Sequence, residues 1–197
     1  MSERTRIPSI IKEGARGTSE LTLSAKLLEQ RKIYLFDDID RDTAQAFMME
    51  ISYLEGISNE PISLYINSGG GEITSGLMMI DIMDSMKATL DIWCTGIAAS
   101  MAAVILACGK KGHRFILPHS KTMIHEPLIG SGLGGSATSI KNISDSIMHT
   151  KEIVNRLLAE RTGKTLKEID EATSFDHYFD AKESVEFGLC DEVRMIR

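Results

Sequence analysis

Cysteine is scarce in this chain. Cys94, Cys108 and Cys190 are odd in number and far apart among 197 residues, so neither a disulfide framework nor a cysteine-rich metal site fits them. The first two sit in apolar segments and read as buried free thiols of a reducing compartment. Proline is equally sparse, with four residues, and no stretch has the composition of a linker or the period of a repeat. Long hydrophobic runs are missing too. The longest, residues 97–108, is interrupted by Ser100 and falls short of the roughly 20 residues that cross a bilayer. Residues 1–6 are polar and charged with no apolar core behind them, so no signal peptide is expected, and the cytoplasm is the expected location. Positive charge is in deficit. The 22 Lys and Arg against 28 Asp and Glu leave a net charge of −6, which argues against nucleic acid or an anionic membrane as the main partner. A P-loop is absent as well: Gly163-Lys164-Thr165 has Leu158 where the first glycine belongs.

What is present is ordinary globular material, 43% hydrophobic and 25% charged, at a length that suits one domain with a single core. Residues 1–22 read as a mobile arm or edge element with an apolar knot at Ile7, Ile10 and Ile11. A short helix over 24–30 and a strand over 32–36 follow. Asp40 is placed to cap a helix whose apolar residues Ala44, Phe47, Met48, Ile51 and Leu54 fall at helical spacing. A strand over 62–66 runs into the turn Gly69-Gly70-Gly71, and a helix follows with Ile73, Leu77, Ile80 and Met83 inward. The segment 90–94 reads as a strand ended by Gly96. Residues 98–107 are apolar all round, as in a fully buried helix. Two more strands are expected over 114–117 and 122–125. The alternation of strands and helices predicts a layered α/β fold. After the glycine-rich stretch 130–135, a helical pattern over 136–160 carries Ile140, Ile143, Ile147, Val154, Leu157 and Leu158 on one side. At about 1.5 Å per residue it exceeds 35 Å and should project from so small a domain onto another subunit. Gly130, Gly132 and Gly135 match a dinucleotide fingerprint, but a long helix with no clear strand after it speaks against that use.

Ser100 is a lone hydroxyl in a segment that otherwise reads as core. Its commonest role would be a helix N-cap; its alternative is a nucleophile at a strand-to-helix turn, with the Met101 N–H as an oxyanion donor. The glycine turn could bring backbone N–H groups close to the same substrate oxygen. His125 ends an apolar strand, and Asp176 lies among aromatics in Phe175-Asp176-His177-Tyr178-Phe179. Alone, each has a structural reading, a core or edge histidine and a turn acid. Spacing does not join the three.

Several segments in order do suggest a link. Tyr65-Ile66-Asn67-Ser68-Gly69-Gly70-Gly71, Gly96-Ile97-Ala98-Ala99-Ser100-Met101, Met123-Ile124-His125-Glu126-Pro127-Leu128, Ala137-Thr138 and residues 181–191 (AKESVEFGLCD) together resemble the proteolytic subunit of the Clp protease, the ClpP family, along nearly the whole chain. The resemblance implies a single peptidase domain over 1–197 with a ClpP/crotonase-type layered fold, an N-terminal axial segment over 1–22, and a glycine-rich strand and handle helix over about 130–160. It implies Ser100 as nucleophile, His125 as base and Asp176 as the group orienting that base, with no cofactor and no metal. Gly71 and Met101 would supply the oxyanion N–H groups, and Ile73, Met101 and Leu128 the first specificity pocket. An extended peptide would lie between the edge at Gly70 and Gly71 and the segment at Leu128. The implied assembly is two stacked heptameric rings interlocked by the handles, fed with unfolded polypeptides by an ATP-driven AAA+ unfoldase of the Clp type.

Departures from the family pattern bear on loop and assembly. Gly69 stands where proline is common, Ile97 where glutamine is common, and Phe175 where arginine is common. Ser136 and Lys141 replace a glutamine and a glutamate of the handle. Phe175 and Lys141 favour, and the intact triad opposes, the alternative of a ring-forming subunit with little activity alone that serves a paralogous proteolytic subunit. A second alternative is a crotonase-like acyl-CoA enzyme, which shares the glycine oxyanion hole but needs no Ser/His/Asp set.

Overall fold

A computed structural model describes residues 9–14, 17–128 and 135–196. The dinucleotide-like Gly130 and Gly132, and Ile7 of the N-terminal apolar knot, lie outside them. The first described elements are β1 (Ser9–Gly14) and β2 (Gly17–Thr22), paired antiparallel as a sheet of their own. Helix α1 (Leu23–Glu29) leads to β3 (Lys32–Leu35), and α2 (Arg41–Ile57) leads to β4 (Ile62–Ser68). Then come α3 (Ile73–Ser85), β5 (Leu90–Ala99), α4 (Met101–Cys108), β6 (Arg114–Ile116) and β7 (Lys121–Ile124). The long α5 (Ala137–Thr162), α6 (Leu166–Thr173), β8 (His177–Phe179), α7 (Ala181–Phe187) and β9 (Glu192–Val193) complete it. The main sheet runs β3-β4-β5-β6-β9, all parallel; β7 pairs parallel with the far end of β5, and β8 pairs antiparallel with β7. This is the layered α/β fold the alternation predicts.

Local chemistry explains the elements. Asp40 closes a capping box with Thr43, its carboxylate accepting the Thr43 N–H at 2.8 Å while the Thr43 hydroxyl accepts the Asp40 N–H at 2.8 Å. Ala44, Phe47, Ile51 and Leu54 face the core, whereas Met48, also on the expected apolar stripe, is exposed. On α3 the deepest residues are Met79 and Ile80, while Ile73, Leu77 and Met83 are partly buried against the core. Every residue of α4 is buried, so the apolar-all-round reading holds from Met101 onward.

The start of that helix is a correction. Ala98 and Ala99, expected as its first residues, belong to β5, which passes through Gly96 instead of ending there. β6 covers Ile92 to Cys94, and β7 takes over at Ile97 to Ala99, so a second partner keeps the strand going. Gly96 itself packs its open face against the Asn67 amide, whose oxygen accepts the Ile97 N–H at 3.1 Å.

Arg114 is the main buried polar group. Its guanidinium donates to Asp191 and to the carbonyls of Ala107, Arg161 and Gly188, tying β6 to the ends of α4, α5 and α7. Burial alone would raise the Asp191 carboxyl; the Arg114 bonds and charge instead hold it below its ordinary value. All three cysteines are free and buried, and burial pushes Cys94 up to about 11 and Cys108 and Cys190 up to about 12. Thiols so shifted stay protonated and unreactive at neutral pH. Among the described residues no helix is long and apolar enough to cross a membrane.

Candidate active site

Ser100 occupies the joint between β5 and α4 with φ 53° and ψ −126°, one of two non-glycine residues with positive φ among the described residues. A side chain held there costs on the order of 1–3 kcal/mol unless neighbours enforce it. The enforcement is visible. Its N–H donates to the Met123 carbonyl of β7 at 2.8 Å, and its own carbonyl accepts from Ala103 at 3.0 Å and Val104 at 3.2 Å. Ser100 holds the N-cap position of α4, just ahead of its first turn, but its hydroxyl makes no capping bond and is left for other use. Its Oγ lies 2.8 Å from Nε2 of His125.

His125 follows β7 directly, and Nδ1 lies 3.1 Å from Oδ1 of Asp176. The two are cross-strand neighbours: Ile124 pairs with His177, so the next position on each chain sets His125 opposite Asp176. The imidazole is 14% exposed and the carboxylate 60% exposed. Beyond His125, the Glu126 N–H donates to the Thr173 carbonyl at 2.7 Å. Its carboxylate accepts from Lys151 at 2.9 Å, and Lys151 also meets Asp170 at 3.0 Å. These two bonds hold the Lys151 ammonium above its ordinary value, so the clamp between the His125 segment, α5 and α6 stays charged.

The glycine turn lies against the serine. A Cβ on Gly70 would come within 2.6 Å of the Ala99 oxygen, 2.7 Å of Ser100 Cβ and 2.9 Å of the Met101 nitrogen, so only glycine permits this approach. Ser68 braces the loop, donating to the Asp37 carbonyl at 2.7 Å and accepting the Gly70 N–H at 3.1 Å. Ile39 braces the other side through Gly70 and Glu72. Gly69 therefore needs no proline ring to hold its place. The Met101 N–H, first of α4, has no carbonyl to meet within its helix. The Gly71 N–H likewise donates no hydrogen bond to a described residue.

A cavity of about 500 Å³ opens beside Ser100 and His125. Gly71, Ile73, Met101 and Leu128 are among its lining residues, Leu128 from an exposed rim; Gly70 lies behind the wall, buried under the serine joint. The sequence reading missed Val104, Met123 and Thr150 as walls. Ile147 and Val154 were on the apolar side of the long helix, a signal that pointed to a subunit contact and here also serves the cavity. Among the described residues no cluster of His, Cys, Asp or Glu is placed to hold a metal ion.

A family model for Clp protease matches residues 15–197. The chain belongs to the Clp protease family. Its α/β fold with a parallel sheet is therefore the ClpP-type fold, and its family is one of peptidases. Within that fold, α5 at 26 residues is the handle, about 39 Å long. Of the departures from the family pattern, Ser136 caps the handle by accepting the Ser139 N–H at 3.2 Å, Lys141 is exposed on it, and Phe175 is 60% exposed beside Asp176.

Proposed function

We propose that this ClpP-type peptidase is a serine endopeptidase, with Ser100 as nucleophile, His125 as general base and Asp176 orienting the imidazole. The observation that carries it is the chain of contacts from Ser100 Oγ to His125 at 2.8 Å and on to Asp176 at 3.1 Å, at the mouth of an apolar cavity. On this reading Nε2 takes the Ser100 proton as Oγ attacks the peptide carbonyl. Asp176 accepts from Nδ1, fixing the tautomer and stabilising the imidazolium that forms. The tetrahedral oxyanion is met by the N–H groups of Gly71 and Met101, and the imidazolium returns its proton to the leaving amine. The residue before the scissile bond sits among Ile73, Met101 and Leu128, and water then repeats the sequence on the acyl-enzyme.

The whole of 1–197 is read as one peptidase domain. It works in the cytoplasm within stacked heptameric rings that receive unfolded polypeptides from a Clp-type AAA+ unfoldase. The second reading, a ring subunit that needs a paralogous partner for full activity, draws on Phe175 and Lys141, both exposed where the family carries groups that pair between rings. The experiment is hydrolysis of a short fluorogenic peptide by the purified chain, alone and co-assembled with a paralog, beside native mass measurement. Ser100→Ala should lower turnover by about four to six orders of magnitude with assembly unchanged. Turnover near wild type in Ser100→Ala would reject the assignment.

A further inference from the structure

Asp176 has little to hold it. Its carboxylate is 60% exposed, and the contact to His125 is the one hydrogen bond it makes among the described residues. A triad aspartate is normally buried and fixed by its surroundings, because a swinging carboxylate neither orients the imidazole nor stays paired with it. Something else must set its direction here.

The segment that leads from Asp176 into β8 supplies it. Phe175, His177 and Phe179 alternate with Asp176 and Tyr178, so the rings share one face and Asp176 turns to the opposite one. Phe175 stacks on His177 at 5.3 Å between centroids and 18° between planes; His177 stacks on Phe179 at 4.2 Å and 12°. Phe179 is buried and meets Phe187 of α7 at 4.8 Å, and Phe187 in turn lies under Lys164 at 5.3 Å. The column thus runs from the exposed Phe175, next to Asp176, down to the core. His177 is its middle plate, and its Nδ1 is buried with no hydrogen-bond partner. A buried polar atom left unmatched is an expense to the fold, so Nδ1 gives the ring no anchor and its two stacked faces are what hold it.

We infer that His177 is a positioning residue for the reaction: clamped between Phe175 and Phe179, it locks the strand face that directs Asp176 at His125. This rests on the serine-peptidase reading above. Phe175, which cannot form the charged pairing common at its position in the family, is on this account the outer plate of the same device.

The test compares His177→Ala, His177→Phe and Phe175→Ala in the full chain, each assembled as the wild type is, with kcat, KM and the pH profile measured on a short peptide. His177→Ala should lower kcat about 10-fold or more with KM within about 2-fold, since binding is untouched. The acid limb of its profile should move to lower pH, because an imidazolium that loses its carboxylate is less stable. Phe175→Ala, a change at an exposed ring that leaves the core alone, should show the same pattern more weakly. His177→Phe keeps the plate and removes the unmatched nitrogen, so it should hold kcat within about 2-fold of wild type and melt no lower. Wild-type kcat in His177→Ala would overturn the inference. So would loss in His177→Phe equal to that in His177→Ala, or a fall in kcat with the acid limb unmoved. Wild-type hydrolysis that does not depend on Ser100 would instead overturn the reading on which it rests.

Discussion

Two histidine–aspartate pairs sit on the same sheet and differ in everything but their chemistry. His113 Nδ1 lies 2.7 Å from Asp91 Oδ1, a shorter contact than the 3.1 Å between His125 and Asp176. Judged by distance alone, the first would be the better dyad. Yet among the described residues no serine or other nucleophile is hydrogen-bonded to the second nitrogen of His113, and neither member of that pair lines the cavity beside Ser100. His125 has Ser100 on its second nitrogen, a strained serine joint beside it, the Gly71 and Met101 N–H groups, which meet no acceptor among the described residues, and an apolar cavity in front. The imidazole–carboxylate contact is common property; the setting makes it a candidate for catalysis.

Breaking each pair in turn should expose the contrast. Asp176→Asn should cut peptide turnover by about 1,000-fold. Exposure lets water take over part of the carboxylate's role, so the loss should stay below the roughly 10⁴-fold of a buried triad aspartate. A loss under 10-fold in steady-state kinetics would remove Asp176 from the mechanism. The buried pair near His113 belongs to stability. Asp191→Ala strands the Arg114 guanidinium, only 3% exposed, and should destabilise the fold by about 3–5 kcal/mol in denaturant titration. Because the folded Asp191 carboxyl lies below its unfolded value of 3.8, its contribution is complete above that pH and is lost as pH falls through the lower folded value. Wild type and the variant should therefore differ most near neutrality and converge only as pH falls below the lowered value of the folded carboxyl. A difference constant across pH would contradict the ion-pair account. Asp91→Asn is the smallest effect. The pair is about one-third exposed, so stability should change by less than about 1 kcal/mol and turnover by less than about 2-fold.

How far the sequence foretells this depends on the range of each interaction. The α2 cap at Asp40 and its stripe at Ala44, Phe47, Ile51 and Leu54 are local, and they were legible; so was α4 from Met101 onward. The extension of β5 to Ala99 was not, because it depends on β7 arriving from more than twenty residues away to replace β6. β8 is three residues long and gives no periodicity to read; it exists through Ile124 and its neighbours. The site follows the same rule. Ser100, His125 and Asp176 are each ambiguous in isolation, and only a resemblance spanning many segments linked them; their contacts join residues 25 and 51 positions apart. The Lys151 clamp and the His177 stack depend on side-chain geometry that no spacing encodes.

The central claim is that Ser100 is a nucleophile activated by His125, and covalent labelling tests it without regard to substrate or partner. The assembled wild-type chain, treated with a fluorophosphonate and analysed by intact mass and peptide mapping, should gain one adduct per chain, located on Ser100. The adduct should be absent from His125→Ala under the same conditions. No adduct on Ser100, an adduct on another serine, or labelling that survives unchanged in His125→Ala would contradict the account.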